Sequence, residues 1–355
     1  MSDARTGDGD DRNGGARRKD TRPISLALQG GGAHGAYTWG VLDRLLEDER
    51  LEVEGVSGTS AGAMNAAVLA DGLMEGGRDG ARRALERFWS AVAEIGRFGP
   101  LVRTPFDMVG HRWNLDHSPG YVLFDALSRY LSPYQFNPMN WNPLLDALRR
   151  QVNFERVRAC DRTKLFIAAT SVTSGKIRVF HTDELTAEAV MASACLPHVF
   201  QAVEVEGDAY WDGGYMGNPA IYPLIYNCDS RDVVIVQVNP IERDEVPTTT
   251  PDILDRLNEV TFNSTLMREM RAIAFVDRLL AEHRLDERRY KRMLMHRVDV
   301  AEEMRELSVS SKMNAEWDFL VHLRDLGRRE AGAWLKRNYA ALGRRATVDI
   351  EADYL

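Results

Sequence analysis

Short apolar runs alternate with stretches of helical spacing over the first two thirds of the chain. Ile24–Leu28 is a strand-like run that ends at three consecutive glycines. Val41, Leu42, Leu45 and Leu46 then recur at helical spacing and predict a helix over Tyr37–Leu46. Leu51–Val56 reads as a second strand. It runs into "SGTSAGAMNAAVLADGL", whose small residues predict a tightly packed helix ending near Gly72. Leu165–Val172 and Lys176–Phe180 read as strands around the turn "TSG", and Val233–Val238 as another buried strand. This order predicts an α/β fold with a central, largely parallel sheet.

The pattern changes between Phe98 and Phe154. Pro100, Pro105, Pro119, Pro133, Pro138 and Pro143 interrupt it, and aromatics from Phe106 and Trp113 to Phe136 and Trp141 are scattered between them. This stretch is expected to cover the sheet as a cap over residues 98–154 rather than to fold alone. After Pro251 the chain reads as helical to its end. Met313, Trp317, Leu320 and Leu323 mark one helix, and Leu335, Tyr339 and Leu342 a second. The glycine of "DLGRRE" is expected to part them into a hairpin. Their apolar stripes are expected to be core, with a homo-oligomer interface as second choice. The expected organisation is thus an arm at 1–22, a main domain at 23–245 and a packed helical region at 246–355.

Composition narrows the function. The 355 residues carry a net charge of −8, against the basic face that nucleic-acid binding requires. Cys160, Cys195 and Cys228 are isolated, so neither a disulfide framework nor a cysteine metal site is expected, and a reducing, cytoplasmic setting fits. Residues 1–22 are charged and glycine-rich, without the apolar stretch of a secretory signal, and read as a disordered arm. No apolar run is long enough to span a bilayer, while peripheral contact with a membrane stays open.

Three motifs carry the chemistry. "GTSAG" at Gly58–Gly62 matches the nucleophile elbow, in which a serine on a tight strand-to-helix turn projects at the end of the sheet. The alternative is a serine N-cap of an ordinary helix. The loop "GGGAHG" satisfies G-x-G-x-x-G at Gly30, Gly32 and Gly35, the outline of a dinucleotide site. The acidic residue such a site needs after the second strand is missing, and so is a Walker lysine. Successive glycine N–H groups would equally serve a developing oxyanion. In "YWDGGYMGNP", Asp212 precedes Gly213 and Gly214; an aspartate held there could accept a serine proton, or the stretch is a plain Asp-Gly turn. No H-E-x-x-H or similar metal spacing occurs, so neither metal nor cofactor is expected.

Taken in order, "GGGAHG", "GTSAG" and "DGG" resemble the patatin-like phospholipase family, as do "ATSVTSGKIRVF" and the stretch leading to Asp212. The likeness runs from about Ile24 to Pro240. It implies a three-layer α/β/α sandwich with a helical C-terminal extension and a Ser–Asp dyad without histidine. Ser60 matches the nucleophile and Asp212 the base. The N–H groups of Gly31 and Gly32 match the oxyanion hole, with Gly30, Ala33 and Gly35 completing the loop. The implied activity is hydrolysis of carboxylic esters of phospholipids and related lipids. A carboxylesterase or polyester depolymerase with the same dyad, or a non-catalytic lipid-binding regulator, are the rival readings. Many members carry arginine where this chain has His34, so the cation near the oxyanion is expected to be partial or pH-dependent. Making His34 the base of a triad is the lesser alternative. His181 and His198 read as surface or packing residues.

Overall fold

The computed structural model describes residues 21–97 and 99–355. Strands β1 (Arg22–Leu28), β2 (Leu51–Gly58), β3 (Lys164–Ser171), β4 (Ile177–His181), β5 (Val203–Val205), β6 (Asp208–Asp212), β7 (Asp232–Val236) and β8 (Leu294–Val298) form one sheet. Its order is β5-β6-β3-β2-β1-β7-β8, with β4 pairing β3. The β1–β2, β1–β7, β2–β3 and β7–β8 pairs are parallel, and the pairs involving β4, β5 and β6 are antiparallel. β1 and β7 are buried almost end to end, as strands covered on both faces must be. Helices α1 (Gly35–Leu46) and α2 (Ala61–Arg97) follow the first two strands. The result is a mostly parallel sheet between helices. The arm expected at 1–22 lies outside the described residues as far as position 20, and Arg22 already belongs to β1.

Between α2 and β3 the chain forms α3 (Pro105–Val109), α4 (Pro119–Tyr130), α5 (Pro133–Phe136), α6 (Pro143–Gln151) and α7 (Phe154–Arg158). Four of the six prolines that break the pattern, Pro105, Pro119, Pro133 and Pro143, each open a helix. Thr104, Ser118 and Asn142 accept a backbone N–H into the helix that follows, and Ser132 precedes α5 in the same way. Proline suits the first helical position because its missing N–H would be unpaired there. Helices α8 (Ala187–Ser193), α9 (Tyr222–Asn227), α10 (Thr250–Ala281), α11 (Glu302–Arg305), α12 (Trp317–Asn338) and α13 (Ile350–Tyr354) complete the chain.

Three expectations are corrected here. The region after Pro251 is not helical throughout, because β8 joins the central sheet beside β7. The hairpin expected at "DLGRRE" is one continuous helix, α12, running through Gly327. Its apolar residues Phe319, Leu320, Leu323 and Leu335 are buried in the main core, so that stripe is spent within the chain. Gly72 does not end α2 either; the helical geometry breaks at Gly76 and Gly77.

Glycine serves in these helices as a close-contact residue. A Cβ at Gly40 would lie 1.9 Å from the Arg324 carbonyl, and one at Gly327 2.1 Å from the Tyr37 carbonyl. The α1–α12 crossing therefore depends on both lacking a side chain. Gly40→Ala is expected to lower stability by roughly 3 kcal/mol through overpacking of two backbones that cannot both stay in place. A urea midpoint equal to that of the parent protein would show that the crossing yields freely.

Candidate active site

One edge of β3 brings two of the motifs together. Because β4 occupies the other edge, β2 and β6 must share this one in succession. Gly58, the last residue of β2, sits opposite Ile167, and Asp212, the last of β6, opposite Ala169. Ser60 follows two residues after Gly58, with φ +54, in the left-handed region that a non-glycine residue seldom adopts. That strained turn is the mark of an elbow. Its N–H donates to Ser193 Oγ at 2.9 Å, and the Gly62 N–H closes the turn onto the Thr59 carbonyl at 2.8 Å. Gly30 passes so near that a Cβ there would lie 2.6 Å from Ser60 Cβ. Leu28, next to the glycine loop, pairs with Gly58, so the third motif arrives from the other side of β2.

Asp212 is fully buried. Its Oδ1 accepts the Gly214 N–H at 2.7 Å, where Gly213 and Gly214 turn out of the strand. Its Oδ2 has no partner at hydrogen-bonding geometry, although the Ser60 hydroxyl is close enough to lower the carboxyl's pKa. A long or bent approach of this kind is common in a site holding no substrate. Burial outweighs both contacts and pushes the carboxyl up from 3.8 to about 7.

The glycine loop is tied down by residues with no visible motif. The Gly30 N–H donates to Asn218 Oδ1 at 2.7 Å, and the Gly30 carbonyl accepts Asn239 Nδ2 at 2.8 Å. Gln29 accepts the Val238 and Asn239 N–H groups and donates to Asn263 of α10. The Gly35 carbonyl, at the start of α1, accepts Asn65 Nδ2 at 2.9 Å. Ala33 is buried in the single turn Gly32–His34. Among the described residues the N–H groups of Gly31 and Gly32 have no acceptor. Asn218 and Asn65 fall inside stretches the sequence reading singled out, whereas Asn239 and Asn263 do not.

His34 faces the C-terminal region. Its Nε2 lies 2.8 Å from Ser311 Oγ and its ring meets Phe319 edge-on. Burial first, and then the charge of Lys312, lower its pKa to about 3. The ring is therefore neutral at ordinary pH, and the partial cation expected at this position is not supplied by His34.

The aromatics of the cap do not gather on one face. Trp113 stacks on Phe319 and His322 with the Arg103 guanidinium on its ring, so it pins the cap to α12. Phe106, Tyr130, Met139 and Trp141 are largely exposed, and α4 buries no residue. A cavity of about 810 Å³ opens between α4, the start of α10 and the turn at Pro197. Tyr121, Val122, Leu131, Leu254 and Asn258 line it, with Asp116, Asp125 and Asp255, and the exposed His198 lies at its edge.

A serine in a left-handed turn, a buried aspartate and a glycine loop thus lie together on a mostly parallel sheet. The chain belongs to the patatin-like phospholipase family, whose model matches residues 26–225, and is thereby classed with the lipid acyl hydrolases. No curated protein matches it. Among solved structures it is similar to VipD from Legionella pneumophila, at 17% identity over 86% of this chain and 67% of that one, with a TM-score of 0.37. It is also similar to ExoU of the Pseudomonas aeruginosa type III secretion system, solved with SpcU, at 16% identity over 89% of this chain and 53% of that one, with a TM-score of 0.37. The chain thus spans about half the length of ExoU, and likenesses at this level carry no argument about activity. Among the described residues no helix is long and apolar enough to cross a membrane.

Proposed function

We propose that the chain hydrolyses carboxylic esters of lipids through an acyl-enzyme, with Ser60 as nucleophile and Asp212 as its base. The observation that carries this reading is the Asp212 carboxyl. One oxygen is committed to Gly214, the other is left to Ser60, and its pKa near 7 suits a group that must take and return a proton at neutral pH. Ser60 Oγ attacks the ester carbonyl while Asp212 takes its proton. The unpartnered N–H groups of Gly31 and Gly32 receive the developing oxyanion. The bond to the alcohol breaks, and the alcohol leaves with the proton from Asp212. Water then attacks the acyl-enzyme, giving its proton to Asp212, which returns it to Ser60 as the acid departs. The exposed apolar side chains of the cap support contact with a lipid surface.

A fluorophosphonate with a long alkyl chain is expected to label Ser60, read by peptide mass, and labelling is expected to survive EDTA because the dyad asks nothing of a metal. Dodecanoyl and longer esters are expected to turn over at least about tenfold faster than acetate esters, since each buried methylene contributes about 0.8 kcal/mol. Label on any other residue, or a flat chain-length profile, would count against the reading.

A further inference from the structure

His34 leaves the glycine loop without a cation from its own sequence, yet one stands behind the loop. Residues Val309–Met313 form a single turn ahead of α12 that lies against it. Gly32 has φ +58, and a Cβ there would lie 2.4 Å from the Lys312 carbonyl, so only glycine lets the two segments meet. From this turn Lys312 Nζ donates to Asn239 Oδ1 at 2.8 Å and lies 3.5 Å from Asn258 Oδ1. The same Asn239 gives its Nδ2 to the Gly30 carbonyl. An ammonium can only donate, so it dictates which end of the Asn239 amide faces it and which faces Gly30. In a trans peptide the C=O and N–H point opposite ways. Holding the Gly30 carbonyl on Asn239 therefore turns the Gly31 N–H to the far side. Each bond in this chain also polarises the next, which makes the Gly31 N–H a stronger donor.

We infer that Lys312 is a positioning residue for the oxyanion loop, acting through Asn239 and the Gly30–Gly31 peptide. The inference rests on the Ser60–Asp212 reading. Burial lowers the Lys312 ammonium to about 8, against Glu259 and Asp255 of α10, which favour its charge. Arg243 opposes it, while Glu259 is itself paired with Arg243 and Arg256, and the facing His34 is neutral. Above that pH a neutral amine no longer dictates the Asn239 amide, and the loop loses its alignment.

The test is the pH profile of kcat between 6 and 10.5 on a soluble ester, for the parent protein, Lys312→Met and Lys312→Arg. The parent is expected to lose activity with an apparent pKa near 8. Lys312→Arg keeps the charge throughout, so its alkaline limb moves beyond about 10. Lys312→Met is expected to lower kcat about tenfold or more with little change in KM and to show no such limb. If Lys312→Met does not fold, the position of the limb in Lys312→Arg decides. A limb that stays near 8 in Lys312→Arg, a parent profile flat to 10, or parental kcat in a folded Lys312→Met would overturn the inference. Each of those results can coexist with a dead Ser60→Ala, whereas an active Ser60→Ala sinks the dyad itself.

Discussion

Ser60→Ala is expected to lose at least about a thousandfold in kcat for any ester the parent cleaves, because removing the nucleophile of such a unit costs several orders of magnitude. The elbow offers no replacement. Ser193 is committed through its hydroxyl to the Ser60 N–H, and Thr59 donates its hydroxyl to the Gly217 carbonyl. The fold should survive. Alanine shares the cost of the left-handed turn at φ +54, and the lost hydroxyl has no partner at full hydrogen-bonding geometry. Stability is expected within about 1 kcal/mol of the parent. The variant also loses the contact that lowers the Asp212 pKa, so Asp212 should titrate higher in Ser60→Ala than in the parent. Hydrolysis above a tenth of the parental rate in a well-folded Ser60→Ala would end the covalent mechanism.

The sequence was legible where one local feature decides the outcome. Apolar runs foretold β1, β3 and β7 because strands covered on both faces need little else, and shorter runs marked β2 and β4. The motif at Gly58–Gly62 is readable because a tight turn at Ser60 needs small neighbours. Glycine misled wherever its role was a contact: Gly72 and Gly327 were expected to end helices, but lie where another backbone passes. β8 was hidden because "LMHRV" is short and follows a long helical pattern, and only its pairing with β7 makes it a strand. The supports of the glycine loop were the least legible. Asn239 and Lys312 come from distant turns, and nothing in their neighbours marks them until the chain is folded. The cap aromatics show the opposite error. Their composition was clear, but composition alone does not say that Trp113 would face α12 while Trp141 faces outward.

Asp212→Asn is expected to trade activity for stability, and the two effects have one cause. The carboxyl is buried, and its pKa rises from 3.8 to about 7 because the charged form is poorly solvated there. Between those values the folded protein holds a proton that the unfolded chain releases. Stability contributed by this group is therefore greatest at low pH and falls as pH rises, with the full penalty, a few kcal/mol, in place above about pH 7. Asparagine never carries the charge. Its side-chain oxygen can still accept the Gly214 N–H, but it has no basic oxygen for Ser60. At pH 8 Asp212→Asn should melt several degrees above the parent; by pH 5 the difference should shrink to about a third, because the unfolded chain still releases the proton there, and it should vanish only below about pH 4, where both states hold it. Activity should drop by about a thousandfold, in the upper part of the range for a lost general base. The parent's kcat/KM should in turn rise with pH through about 7, as Asp212 loses its proton. Calorimetry of both proteins at the two pH values, with an ester assay beside it, reads all of these. Equal melting temperatures at pH 8 would mean that the carboxyl is not held as an unfavourable charge. An active Asp212→Asn would mean that another group takes the Ser60 proton.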